Sequence, residues 1–87
     1  MKYEYARSFV KDTKKAPQEI RSQLQSLVAH VMSSEHISQL ANVKKMKGYS
    51  NAYRIRMADY RIGFLLEDDV LIFTRLLHRK EIYRYFP

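Results

Sequence analysis

The chain has 87 residues, which permits one domain with a modest core and leaves no room for two lobes around a deep cofactor cleft. Sixteen Lys and Arg against nine Asp and Glu give a formal charge of +7, a balance suited to nucleic acid, an acidic protein or an anionic surface. The absence of cysteine excludes disulfides, thiolate nucleophiles and thiolate metal sites.

No stretch approaches a membrane span, and Met1 to Tyr5 lacks the apolar core of a signal peptide; the expectation is a cytoplasmic protein without membrane attachment. At the start, KYEYA alternates as a short strand, and Arg7 to Lys15 fits a first short helix carrying Phe9 and Val10. Pro17 is then placed as the first residue of a longer helix. Along it Ile20, Leu24, Leu27, Val28, Val31 and Met32 recur at helical spacing, with Gln18, Arg21, Gln25 and Ser26 on the other face. The Ser33-Ser34 pair ends it. Glu35 to Gly48 reads as an irregular connection holding Val43 and Met46, with one helical turn around Ile37 and Leu40. Three strands follow, then HRKEIYRYFP. The predicted order is β-α-α-β-β-β, a single α+β domain over residues 1–87: an antiparallel sheet with two N-terminal helices packed on one face.

The strands carry the charge. Tyr53, Ile55 and Met57 alternate with Arg54 and Arg56, and Tyr60, Ile62 and Phe64 with Arg61 and Gly63. A two-residue turn at Ala58 and Asp59 pairs Met57 with Tyr60, Arg56 with Arg61, Ile55 with Ile62 and Arg54 with Gly63. Facing arginines cost about 0.2–1 kcal/mol, so the arrangement suits an anionic third party. The next strand, Val70 to Leu77, follows the acidic turn at Glu67, Asp68 and Asp69. A three-residue loop pairs Leu66 with Val70 and Arg61 with Arg75; a two-residue loop would set Arg75 opposite Ile62 on the apolar face, where an unpaired guanidinium is costly. In the odd register Leu65, Leu71 and Phe73 lie beside the arginines, either as an exposed apolar patch awaiting a partner or beneath a C-terminal helix.

The K-x-M-K-G step from Lys44 to Gly48, the YRIR strand, the DYRIGF strand and the terminal HRKEIYR, in this order and spacing, together resemble the RelE/ParE superfamily of bacterial toxins from type II toxin-antitoxin pairs. For RelE-like members the resemblance implies a metal-independent, cofactor-free ribonuclease that cleaves messenger RNA in the ribosome, the ribose 2′-hydroxyl attacking the adjacent phosphate. It places the basic pair of the first central strand on Arg54 and Arg56, the arginine of the following strand on Arg61, and the C-terminal basic and aromatic positions on Arg79 and Tyr83. It also implies a cognate antitoxin whose acidic residues neutralise the arginines while its apolar side chains fill the patch at Leu65, Leu71 and Phe73. Where family members carry lysines, this chain has Arg54 and Arg56; a guanidinium stays protonated, so both bind charge and neither serves as a base.

His78 is a candidate proton acceptor by residue type, yet strand parity sets it with Thr74 and Leu76 on the apolar side, which favours a structural or solvent-facing role. Tyr83 suits either stacking on a base or covering the sheet with Ile82 and Phe86. Lys44, Lys45 and Lys47 suit contacts with ribosomal RNA phosphates or a solvated loop, and Arg75 completes the arginine row. His30 and His36 read as surface residues without metal-ligand spacing. Two other functions fit the same fold: a ParE-like inhibitor of DNA gyrase, and a binding protein without catalysis.

Overall fold

The apolar stripe of the long helix has one surface to cover, the side of the sheet that carries every second residue of the central strands. In the computed structural model, which describes residues 1–87, the elements run β1 (Lys2–Tyr5), α1 (Arg7–Lys15), α2 (Gln18–Ser33), a 3-10 turn (Ile37–Gln39), β2 (Val43–Lys45), β3 (Ala52–Met57), β4 (Tyr60–Glu67), β5 (Val70–His78) and α3 (Ile82–Tyr85). The five strands lie in the order β1-β5-β4-β3-β2. Strands β2 to β5 are antiparallel, whereas β1 pairs parallel with β5, so the sheet is mixed rather than antiparallel throughout. Alternation in KYEYA specifies a strand but carries no direction. Phe9, Ala16, Ile20, Leu24 and Val31 from the helices meet Ile55, Met57, Ile62, Phe64, Leu71, Phe73 and Leu76 in one buried cluster. Met32, at the end of the expected stripe, is exposed. No helix is long and apolar enough to cross a membrane.

The β3–β4 hairpin has the register read from the sequence: Met57 with Tyr60, Arg56 with Arg61, Ile55 with Ile62, Arg54 with Gly63. The β4–β5 hairpin differs. Its loop has two residues, Asp68 and Asp69, both with positive φ (49° and 65°), the sign pattern of a type I′ turn that aspartate tolerates. Glu67 therefore pairs with Val70, Leu66 with Leu71 and Phe64 with Phe73, which turns Leu71 and Phe73 into the helix-side core. At Gly63 and Phe64 the ladder slips by one: Gly63 pairs with Arg75, leaving Thr74 as the extra residue of a β-bulge, and Leu76 comes to face Ile62. The bulge keeps the guanidinium off the apolar face, the problem that a three-residue loop was expected to solve.

Beyond Phe73, β1 has ended and the outer edge of β5 is open, a row of unpaired backbone groups. Helix α1 covers it. Ser8 Oγ donates to the Thr74 carbonyl at 2.6 Å, and the Asp12 carboxylate accepts the Leu76 N–H at 3.0 Å and Arg75 Nε at 2.8 Å. Arg75 is thereby withdrawn from the arginine row, and the hydrogen bond to Asp12 holds its guanidinium above the ordinary value.

Because Phe73 is fully buried, Phe73→Ala should lower the unfolding free energy by about 3–5 kcal/mol and Leu71→Ala by about 2–5 kcal/mol in urea titrations. A loss below about 1 kcal/mol at Phe73 would contradict this register.

Candidate functional site

On the sheet face away from α1 and α2, cross-strand pairing sets Lys44 beside Arg54 and Arg54 beside Gly63, while Arg56 faces Arg61. The chain after β5 closes over this face. The Arg79 N–H donates to the Asp59 carbonyl at 2.7 Å, tying the segment to the β3–β4 turn. Helix α3 then lays Phe86 against the backbone of Gly63, where a Cβ would stand 2.6 Å from the ring. Met46, Ala52, Ile82 and Phe86 form a second small core, joined by the partly buried Leu65 and Leu77. Tyr83 projects from this lid, 62% exposed, and its hydroxyl accepts a hydrogen bond from Arg54 Nε at 3.1 Å.

The charges are held by neutral acceptors. Arg61 donates to the Ala58 and Tyr60 carbonyls at 3.0 and 2.9 Å. Asn42, at φ 63°, offers its carbonyl to Arg54 at 3.5 Å and its Oδ1 to Arg56 at 3.4 Å. The molecule's two ion pairs are Arg75–Asp12 and a loose, exposed Arg79–Asp59 contact at 3.9 Å, so Arg54, Arg56 and Arg61 have no carboxylate partner. Burial, and then the charges of Arg54, Arg56 and Arg79, push the Arg61 guanidinium below its ordinary value, with Tyr83 opposing. Such a surface stabilises negative charge, and its planar forks match phosphate oxygens.

The structure thus gathers Arg54, Arg56, Arg61, Arg79 and Tyr83, and adds Lys44 through β2, a strand of three residues that the sequence left within the irregular connection. Lys45 pairs with Tyr53, on the other face, and Lys47 lies in the loop that follows. His78 pairs with Tyr60, whose ring meets it edge-on at 5.8 Å and packs against the helix-side core. The Nδ1 of His78 accepts the Lys80 N–H at 3.2 Å. This histidine therefore stands on the opposite face from Arg61 and has a structural role. Leu65 is covered by the lid, and Leu71 and Phe73 are core, so the expected apolar patch does not exist as a partner surface. No group of three or more His, Cys, Asp or Glu side chains is placed to hold a metal ion. Asn42 has no clear signal in the sequence, because an asparagine ahead of a strand is a weak sign of left-handed backbone; Phe86 covers the sheet as expected with Ile82, though no residue pattern names Gly63 as what lies beneath it.

A methyl at position 63 has no room. Gly63→Ala should expel Phe86 and loosen α3, raising amide exchange across residues 82–86 while β3 and β4 stay protected. Unchanged exchange in the C-terminal segment would show that the lid does not depend on this contact.

Residues 3–83 match the model of the ParE toxin of type II toxin-antitoxin system, parDE. The chain is 46% identical to Toxin RelE3 of Methanocaldococcus jannaschii over 88 aligned residues, covering 100% of both chains. Its structure is similar to a chain of the RelB-RelE antitoxin-toxin complex from Methanococcus jannaschii, with a TM-score of 0.82 at 43% identity, covering 95% of this chain and 98% of that one. The fold also matches a chain of the intact E. coli RelBE toxin-antitoxin complex, with a TM-score of 0.69 at 22% identity over 88% of this chain and 94% of that one. With its arginine face and C-terminal lid, the chain belongs to the RelE/ParE superfamily of type II toxin-antitoxin toxins.

Proposed function

We propose that the protein is a RelE-like endoribonuclease that cleaves messenger RNA on the ribosome and so inhibits translation. The observation that supports this most is the convergence of Arg54, Arg56, Arg61, Arg79 and Tyr83 on one face, with three of the arginines free of any carboxylate partner. In the reaction the 2′-oxygen of the ribose forms a bond to the adjacent phosphorus as the bond from phosphorus to the 5′-oxygen breaks, its electron pair leaving with that oxygen. Arg61, flanked by Arg54 and Arg56, stabilises the charge that builds on the non-bridging oxygens. The Tyr83 hydroxyl accepts from Arg54, so its own proton is free for the departing 5′-oxygen. The guanidiniums take no proton, His78 is on the far face, and the exposed Asp59 sits at the hairpin end beside Arg79. The proton of the 2′-hydroxyl therefore passes to water, and the acceleration rests on positioning and charge.

The partner that fits is a cognate antitoxin, the class of protein bound by the RelE toxins of Methanococcus jannaschii and E. coli. Its acidic side chains would neutralise the arginine face. A second function, inhibition of DNA gyrase, is favoured by one observation: the matching family model is that of the ParE toxin. Purified protein added to translating ribosomes, with messenger 5′ ends mapped, and to a gyrase supercoiling assay separates the two. New ends inside codons support the nuclease; inhibited supercoiling with intact messenger supports the gyrase inhibitor.

Arg61→Ala should lower cleavage by about 10²–10³-fold, the usual cost of one oxyanion donor. Stability should change by less than about 1 kcal/mol, because the lost hydrogen bonds are offset by relief from like charges. Tyr83→Phe should cost about 10²–10⁴-fold if its proton reaches the leaving oxygen. Full cleavage by a folded Arg61→Ala protein overturns the assigned centre.

A further inference from the structure

The arginine face does not end at Arg54. Between Ala41 and Leu66 the chain holds six Lys and Arg against Asp59 alone; Lys44 and Lys45 lead into the loop Met46–Ser50, which carries Lys47. That loop is built, not slack. Met46 is buried in the C-terminal core with Ala52, Ile82 and Phe86, and its N–H donates to the Ala52 carbonyl at 2.7 Å. The Tyr49 N–H returns to the Met46 carbonyl at 3.3 Å, and Gly48 takes φ 87°, a conformation few other residues adopt. The result is an anchored turn that leaves Tyr49 50% exposed above a shallow recess of about 450 Å³ lined by Lys45, Met46, Lys47, Gly48, Tyr49 and Ser50. No carboxylate lines that recess. An aromatic ring with a firm backbone and basic neighbours is what unpaired bases use as a stacking platform. From Ser50 to Arg54 is at most about 13 Å, four residues at ~3.3 Å each, within reach of the same RNA strand.

We propose that this loop is a second RNA-binding site, in which Tyr49 stacks on an unpaired base while Lys47 holds a flanking phosphate, a few nucleotides from the phosphate at Arg61. The inference rests on the RNA-cleaving function proposed above and adds to it a subsite that grips the single strand without reading its sequence. The site selects single-stranded RNA over duplex, because a paired base offers no free face to the ring.

The chain contains no tryptophan, so Tyr49→Trp introduces one fluorophore at the site. The probe is a ten-nucleotide single-stranded RNA made uncleavable by 2′-O-methylation. Its addition should quench the fluorescence of the introduced indole in the full-length protein, and the matching duplex should not. Tyr49→Ala should weaken binding by about tenfold, Tyr49→Phe should restore it, and thermal melts of all three variants should coincide with the parent. Binding that is lost in Arg61→Ala but unchanged in a folded Tyr49→Ala overturns the loop site alone. Absence of RNA binding by the parent protein overturns it together with the function on which it rests.

Discussion

Gly63 sits where three requirements of the structure meet. Its pairing with Arg75 marks the slip of the β4–β5 ladder, which lets a two-residue turn at Asp68 and Asp69 coexist with an apolar Leu76 opposite Ile62. Its partner on the other side is Arg54, and the absence of a side chain leaves the face open for the ring of Phe86. Because Phe86 lies there, Ile82 and Met46 close into the second core, α3 is held down, and Tyr83 reaches Arg54. A side chain at this one position would keep the sheet and lose the lid.

Neutral acceptors explain how a small domain maintains so much unpaired positive charge. Arg56 and Arg61 face one another across the hairpin, and Arg61 is partly buried among its neighbours, an arrangement that opposes folding modestly. It is tolerated because Arg61 rests on the main-chain carbonyls of Ala58 and Tyr60, Arg54 on that of Asn42 and Arg56 on the Asn42 side-chain oxygen, neutral acceptors that orient the guanidiniums without neutralising them. Arg75 is the counterexample. Its charge is satisfied by Asp12, whose carboxylate also caps the open edge of β5, so this arginine serves the fold. Fixed, oriented and unneutralised donors are what the dianionic transition state of the proposed reaction needs, since no reorganisation is required when the charge develops.

Much of this was legible in the residues. The first helix spans the expected Arg7 to Lys15 and the second ends at the Ser33-Ser34 pair, and the β3–β4 register follows from strict alternation around a two-residue gap. Strand parity failed for β5 because it assumes an uninterrupted ladder. An unpaired guanidinium on the apolar face is costly, but a bulge at Thr74 answers that constraint as well as a longer loop does, and sequence does not distinguish them. The error carried Leu71 and Phe73 to the wrong face, and with them the partner surface. Strand β2 was missed because three residues containing two lysines carry no periodic signal; its pairing with β3 comes from tertiary context. The direction of β1 depends on α1 running along the edge of β5, a contact made by Ser8 and Asp12 that no local pattern announces.

The proposed chemistry requires one sheet face to present several unneutralised arginines to a phosphate chain. Counterion release measures this directly: the salt dependence of binding to an uncleavable single-stranded RNA reports the number of phosphates neutralised, at roughly −0.7 in the logarithmic slope for each. Engagement of Arg54, Arg56, Arg61 and Arg79 together predicts a slope of about −3 or steeper. A slope of about −1 or shallower would contradict the account, because the arginines would then not meet the RNA as a group.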